Sequence, residues 1–269
     1  MSKRPEDFPQ LREILNELSE YAGYLFQRGW AERNAGNITV NLTDCIHDEL
    51  INHSSTFLLT KTYSSLADKY FYVSATGSRM PALARQPLKH GLIIRINSEG
   101  NGYGIYDPDD RNTLRVTSEL PTHLAIHHLI AGMNREHNVV IHTHATDLIA
   151  LTQNAALKNE ASINKILWGM HPETRVFVPN GVGFVPYTLP GTEDIAGLTI
   201  EALRDHDVAL WEKHGVFAIG KTIADTFDTI DLLNKSAMIY LKCLSAGFTP
   251  EGLTEDQLKE LDSLLENLK

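Results

Sequence analysis

Asn138-Val139-Val140-Ile141-His142-Thr143-His144 is the stretch on which the reading of the fold turns. Val139, Val140 and Ile141 are strand formers, so the segment predicts a buried strand. Side chains two apart on a strand share a face, so His142 and His144 point the same way at its end. Such a pair is either two hydrogen-bonded histidines or two ligands of one metal ion. Two distant segments bear on the choice. Glu119 lies upstream in Thr117-Ser118-Glu119-Leu120-Pro121, and His214 lies downstream in Lys213-His214-Gly215. Three imidazoles would leave a coordination position open, which separates a catalytic metal from a structural one.

Working outward, Pro121 is placed to open a helix running through Leu124, Ile126, His127, Leu129 and Ile130. Ser118 and Glu119 then stand at its N-terminus, where taken alone they read as a capping arrangement. His123, His127 and His128 ride on this helix without a His-Glu-x-x-His pattern, and read as structural or surface residues. Gly91–Ile96 and Tyr103–Tyr106 flank a short turn-rich connection and predict a hairpin, hence antiparallel pairing. Further strands are predicted at 38–42, 69–74, 175–178, 208–211 and 214–219, with an extended stretch over 183–189. Helical periodicity marks 9–28, 145–151, 159–170, 192–206, a long segment from Thr222 or Ala224 through Leu244, and 254–268. Residues 43–69 give little signal beyond Phe57-Leu58-Leu59. No repeat or linker divides the chain, so residues 1–269 are expected to form a single domain.

Two turns attract attention. Asn34-Ala35-Gly36-Asn37 lies between the first helix and the first strand. It is either plain turn chemistry or a nest of amides able to hold an anion. Thr76-Gly77-Ser78 ends a strand with small residues that permit close approach to a phosphate. A net charge of -10 argues against nucleic-acid or anionic-membrane partners. An anionic small molecule would therefore have to be captured by local donors. Cys45 and Cys243 form no Cys-x-x-Cys pair. With no secretory signal and no membrane-length apolar run, these thiols predict a soluble cytoplasmic protein.

Together the motifs resemble the class II aldolase/adducin family. The matching words are residues 32–39, 117–123, 142–146, 148–151, 179–183, 185–186, 189–192 and 214–217, in the family's order. The resemblance implies an α/β fold, three-layer αβα around a central mixed, largely antiparallel sheet. It implies that His142, His144 and His214 hold one Zn2+ per subunit. It implies Glu119 as catalytic acid/base, with Asn34, Gly36, Asn37, Thr76, Gly77 and Ser118 around a substrate phosphate. Glu173 matches a second carboxylate that serves the aldehyde end, across a subunit interface, in a homotetramer. Two departures stand out. Ala35 replaces a glycine, which would strain the turn if position 35 needed positive φ, and the residues before Glu173 differ from the family's.

Thr117–Pro121 and 168–183 point to the branch that cleaves L-rhamnulose 1-phosphate to dihydroxyacetone phosphate and L-lactaldehyde. The alternatives are another enzyme of the superfamily, such as one acting on L-fuculose phosphate, or a non-catalytic adducin-like interaction domain. A Lewis-acidic metal stabilises charge left at C3 when the C3–C4 bond breaks, so no Schiff-base lysine is needed. Glu119, near substrate anions in a closed site, is expected to have a raised pKa suited to proton transfer.

Overall fold

A computed structural model of the protein describes residues 5–46, 53–106, 114–133 and 136–268. In chain order the elements are α1 (Pro9–Gln27), β1 (Asn37–Asn41), β2 (His53–Leu58), β3 (Tyr70–Ser74), α2 (Met80–Arg85), α3 (Pro87–His90), β4 (Gly91–Ile96) and β5 (Gly102–Tyr106). They continue with α4 (Leu120–Gly132), β6 (Val139–Thr143), α5 (Thr146–Leu151), α6 (Glu160–Met170), α7 (Pro172–Phe177) and β7 (Gly183–Val185). The last are α8 (Glu193–Asp205), β8 (Val208–Trp211), β9 (Gly215–Gly220), α9 (Ile223–Ser245) and α10 (Glu255–Leu268).

The strands form one nine-stranded sheet in the order β2-β5-β4-β3-β1-β6-β9-β8-β7. Every pairing is antiparallel except β7 with β8, so the sheet is mixed and largely antiparallel. Alternation along each strand sorts the side chains into two cores. Ile38, Val40, Val139, Ile141, Val216 and Ala218 pack beneath α1, α2, α5, α6 and α9. Val140, Phe217, Ile219, Ala209 and Trp211 face the other way, against Ile126 and Ile130 of α4 and Ile195 and Leu203 of α8. The result is the three-layer αβα arrangement that the family resemblance implies, and residues 142 and 144 fall on the α4/α8 side.

Most predicted elements are found within a residue or two of their expected limits. The weak 43–69 region carries β2, and its residues 47–52 lie outside the described residues. The clear disagreement is at 175–178. Arg175, Val176 and Phe177 lie in helix α7, not in a strand. Pro172 opens that helix, and the Thr174 hydroxyl is buried against Leu232 O and Ser236 Oγ of α9. Arg175 makes a two-pronged ion pair with Asp262 of α10, at 2.6 and 2.8 Å. Tertiary anchoring at Thr174 and Arg175 overrides the strand preference of a short Val-Phe-Val run.

Candidate active site

Pairing in the sheet assembles the site. β1 and β6 are antiparallel with Asn37 opposite His142, and β6 and β9 are antiparallel with Thr143 opposite Val216. The C-terminal end of β6 is therefore flanked by the start of β1 on one side and the start of β9 on the other. His144 lies just beyond β6, and His214 in the turn joining β8 to β9. Their rings come together as three edge-on pairs, with centroids 5.0–5.4 Å apart. One ring nitrogen from each of His142, His144 and His214 lies within 4.8 Å of the others.

This convergence depends on local backbone. In the β8–β9 turn, Lys213 takes a left-handed conformation (φ 62°), and its amide donates to Thr152 Oγ1. Gly215 then passes so close to β6 that a Cβ there would stand 2.4 Å from Thr143 O and 3.1 Å from His144 Cδ2. Only glycine lets the histidine-bearing turn lie against the strand end. Gly36 plays the same part on the other flank. It has φ 79°, and a Cβ there would lie 3.1 Å from His142 O. The strain that a positive φ would cause at Ala35 is absent, because the left-handed positions of this turn are Arg33 and Gly36.

Orientation of the rings follows from their second nitrogens. His142 Nδ1 lies 2.9 Å from Val216 O, an acceptor only, so it carries the proton and Nε2 is left bare. His144 Nδ1 lies 2.6 Å from Glu32 Oε1, with the same consequence. A metal-ligating histidine is commonly held this way, one nitrogen tied to a carbonyl or carboxylate and the other presented to the ion. Burial lowers the pKa of His142, and burial followed by the two neighbouring imidazoles lowers that of His214 to about 4. Both are thereby suited to be neutral ligands near pH 7. Nitrogens at 2.0–2.1 Å from one tetrahedral ion would stand about 3.4 Å apart, a small contraction from this spread. The donor set therefore fits a zinc-like ion.

A cavity of about 160 Å³ opens beside the three rings. Its wall includes Asn34, Gly36, Asn37, Thr76, Gly77, Ser118 and Glu119 together with His142, His144 and His214. The residues that the sequence and the family resemblance single out thus meet at one place, except Glu173. Glu173 lies in the first turn of α7, half exposed, with His171 Nε2 3.2 Å from its carboxylate, and is not part of this cavity.

Glu119 precedes α4 but does not cap it through its side chain. Its Oε2 instead accepts from Asn37 Nδ2 at 2.6 Å and stands 3.7 Å from His142 Nε2. The expectation of a raised pKa is reversed. Burial pushes the carboxyl up, but the neighbouring His142 imidazole, the Asn37 hydrogen bond and the other two imidazoles together hold it below its ordinary value.

Two features were not foreseen. Glu32 sits within the recognised 32–39 motif, yet its contact with His144 crosses 112 residues and has no local signature. His123 and His127 are fully buried and hydrogen-bonded to the residues of β1 that face the site, at Asn37 and Thr39.

Comparison with known proteins adds to this geometry. The family described as "Class II Aldolase and Adducin N-terminal domain" matches residues 16–241. The chain is 41% identical to a rhamnulose-1-phosphate aldolase of Bacteroides thetaiotaomicron, over 95% of each chain. It is 34% identical to a protein of the same name from Yersinia pseudotuberculosis, over 87% of this chain and 86% of the other. Among solved structures, a sugar-phosphate aldolase from Thermotoga maritima superposes with a TM-score of 0.79 at 32% identity, covering 90% of this chain and 100% of that one. An L-fuculose 1-phosphate aldolase superposes with a TM-score of 0.59 at 16% identity, covering 94% and 96%, a likeness of fold alone.

Proposed function

The chain belongs to the class II aldolase and adducin family, and from that premise we propose that it cleaves L-rhamnulose 1-phosphate to dihydroxyacetone phosphate and L-lactaldehyde. Identity of 41% across nearly the whole length of a rhamnulose-1-phosphate aldolase supports the substrate. One geometric observation carries the chemistry: three imidazole nitrogens within 4.8 Å of one another, beside a cavity whose wall includes a buried carboxylate.

His142, His144 and His214 would hold one zinc ion per subunit. Bound there, zinc supplies Lewis acidity for the charge that develops when the substrate's C3–C4 bond breaks. In that cleavage the C4 hydroxyl gives its proton to a base at the aldehyde end, Glu173 or an aromatic side chain, the C3–C4 pair stays on C3, and C4 leaves as the aldehyde carbon. Glu119 is assigned to take up a proton from solvent and pass it to C3. Its position beside His142, with Oε2 pinned by Asn37, supports that role. Asn34, Gly36, Asn37, Thr76, Gly77 and Ser118 are assigned to the substrate phosphate, which suits a wall of small residues, backbone amides and hydroxyls. Asn37 would then serve two ends, since its amide already bonds Glu119 and His123.

The cavity of about 160 Å³ is smaller than the roughly 300–1,000 Å³ of a pocket for a drug-sized ligand. That favours a site holding the phosphorylated half, with the aldehyde half reaching outward. We assign Glu173 to the aldehyde end, delivered from a neighbouring copy in a homotetramer; its exposure supports this. Residues 1–269 are taken as a single domain, in keeping with one sheet built from strands spread along the chain. Cytoplasmic action is part of the same reading, and among the described residues no helix is long and apolar enough to cross a membrane.

The test is release of dihydroxyacetone phosphate from L-rhamnulose 1-phosphate by the purified protein. Turnover should stop with a chelator, return with zinc, and exceed that on L-fuculose 1-phosphate. Zinc-loaded protein that cleaves only the fuculose ester would overturn the substrate assignment.

A further inference from the structure

Behind Glu119 and Asn37 runs a line of buried polar groups, Thr39, His123 and His127, that the reaction as proposed does not require. Glu119 Oε2 accepts from Asn37 Nδ2 at 2.6 Å. Asn37 Oδ1 is hydrogen-bonded to His123 Nε2. His123 Nδ1 lies 2.8 Å from Thr39 Oγ1, and Thr39 Oγ1 lies 2.8 Å from His127 Nε2. Asn37, Thr39, His123 and His127 are all buried between β1 and α4.

The direction of every bond follows from its end. A carboxylate can only accept, so the Asn37 amide must turn its NH2 toward Glu119 and its oxygen toward His123. His123 must then donate from Nε2. Burial drives its pKa well below the ordinary imidazole value, so it carries a single proton and Nδ1 is an acceptor. Thr39 has one hydroxyl hydrogen, and it goes to His123 Nδ1. Thr39 can therefore only accept from His127, which must donate from Nε2. All four hydrogens point toward Glu119.

We propose that Thr39, His123 and His127 are positioning residues that fix the Asn37 amide and, through it, the carboxylate of Glu119. None of the three lines the cavity, so none would touch substrate or metal. The Thr39 hydroxyl is the switch point. Without it, His123 loses the donor that keeps Nδ1 unprotonated, and its proton can move to that nitrogen. Asn37 Oδ1 then has no donor and the amide is free to turn. Glu119 would lose the bond that aims it. The inference deepens the aldolase reading in that Glu119 is taken as the group that moves the proton.

The test uses the zinc-loaded full chain with Thr39→Val, nearly isosteric but without the hydroxyl, and Thr39→Ser, which keeps it. Thr39→Val should lower kcat on L-rhamnulose 1-phosphate on the order of 10–100-fold with KM and zinc content unchanged. Thr39→Ser should recover most of that loss. Nitrogen-15 spectra of labelled histidine should show Nε2–H tautomers for His123 and His127 in the wild type near neutral pH, in contrast to Nδ1–H for His142 and His144. In Thr39→Val the His123 signal should change. An Nδ1–H or doubly protonated His123 in the wild type would overturn the inference, as would a Thr39→Val kcat within about twofold of normal. Equal losses in both variants would also sink it, since they would mark a packing effect. The spectra need no substrate. A protein inert on the rhamnulose ester but with the expected tautomers would refute the substrate and leave the relay standing.

Discussion

Two groups of histidines lie on the same side of the sheet, and the ring of Phe217 touches both. It stacks on His142 with centroids 4.3 Å apart and meets His123 edge-on at 5.3 Å. On one side, His142 and His144 spend their Nδ1 protons on Val216 O and Glu32 and leave Nε2 bare at the cavity. On the other, His123 has both nitrogens engaged within the protein, and His127 gives its Nε2 to Thr39. The same side chain, within one layer, is presented to the cavity or held as scaffold according to where its second nitrogen is tied. Residue type alone does not decide the role; the partner does.

The contrast is broken most severely from the ligand side. His214→Ala would remove one of the three proposed ligands. Zinc per chain should fall toward zero, and activity should drop by roughly 10³-fold or more, since the metal's charge stabilisation is worth several kcal/mol. Metal analysis after dialysis checks it, and stoichiometric zinc in that variant would remove His214 from the ligand set. His123→Gln in parallel should keep its zinc, because His123 is a scaffold residue.

A smaller effect is expected at the group between the two sets. Glu119→Gln keeps a side-chain oxygen for Asn37 Nδ2, so the relay and the cavity can persist, but it removes the proton carrier. Turnover should fall about 10²–10⁴-fold with zinc retained. Normal turnover would end the assignment of Glu119. The same loss with zinc also gone would instead give Glu119 a part in binding the metal.

How much of this could be read beforehand follows from distance along the chain. The shared face of His142 and His144 is local, a consequence of strand alternation, and the sequence carries it in full. So does the antiparallel character of the sheet, through the 91–106 hairpin. His214 enters through its glycine-flanked turn and the family's motifs, because no periodicity links it to a strand more than seventy residues earlier. Glu119 reads as a cap when viewed locally, since the bond that draws it away comes from Asn37, 82 positions upstream. The relay is invisible for the same reason: its bonds join β1 to α4 across 84 to 88 positions. Helix α7 is not legible locally because its anchors, Ser236 and Asp262, lie far downstream.

The mildest prediction tests the scaffold side by pH. Burial, with a lesser effect from Lys69, lowers the pKa of His127 from 6.5 to about 3. A histidine kept neutral when folded but free to take a proton when unfolded makes the unfolded state the greater proton binder between those values. Stability must therefore rise with pH across the window from about 3 to 6.5, and fall as acid is added below 6.5. One such group contributes a slope of up to about 1.4 kcal/mol per pH unit. His127→Gln retains a donor for Thr39 and cannot titrate. Urea unfolding of metal-free protein at pH 5, 6 and 7 should give the variant an acid limb shallower by about one proton than the wild type. The ligand histidines are common to both proteins, so their contribution cancels in the difference. Identical slopes would mean that His127 takes up its proton equally in the folded and unfolded chain, and the neutral state that burial imposes on it would be wrong.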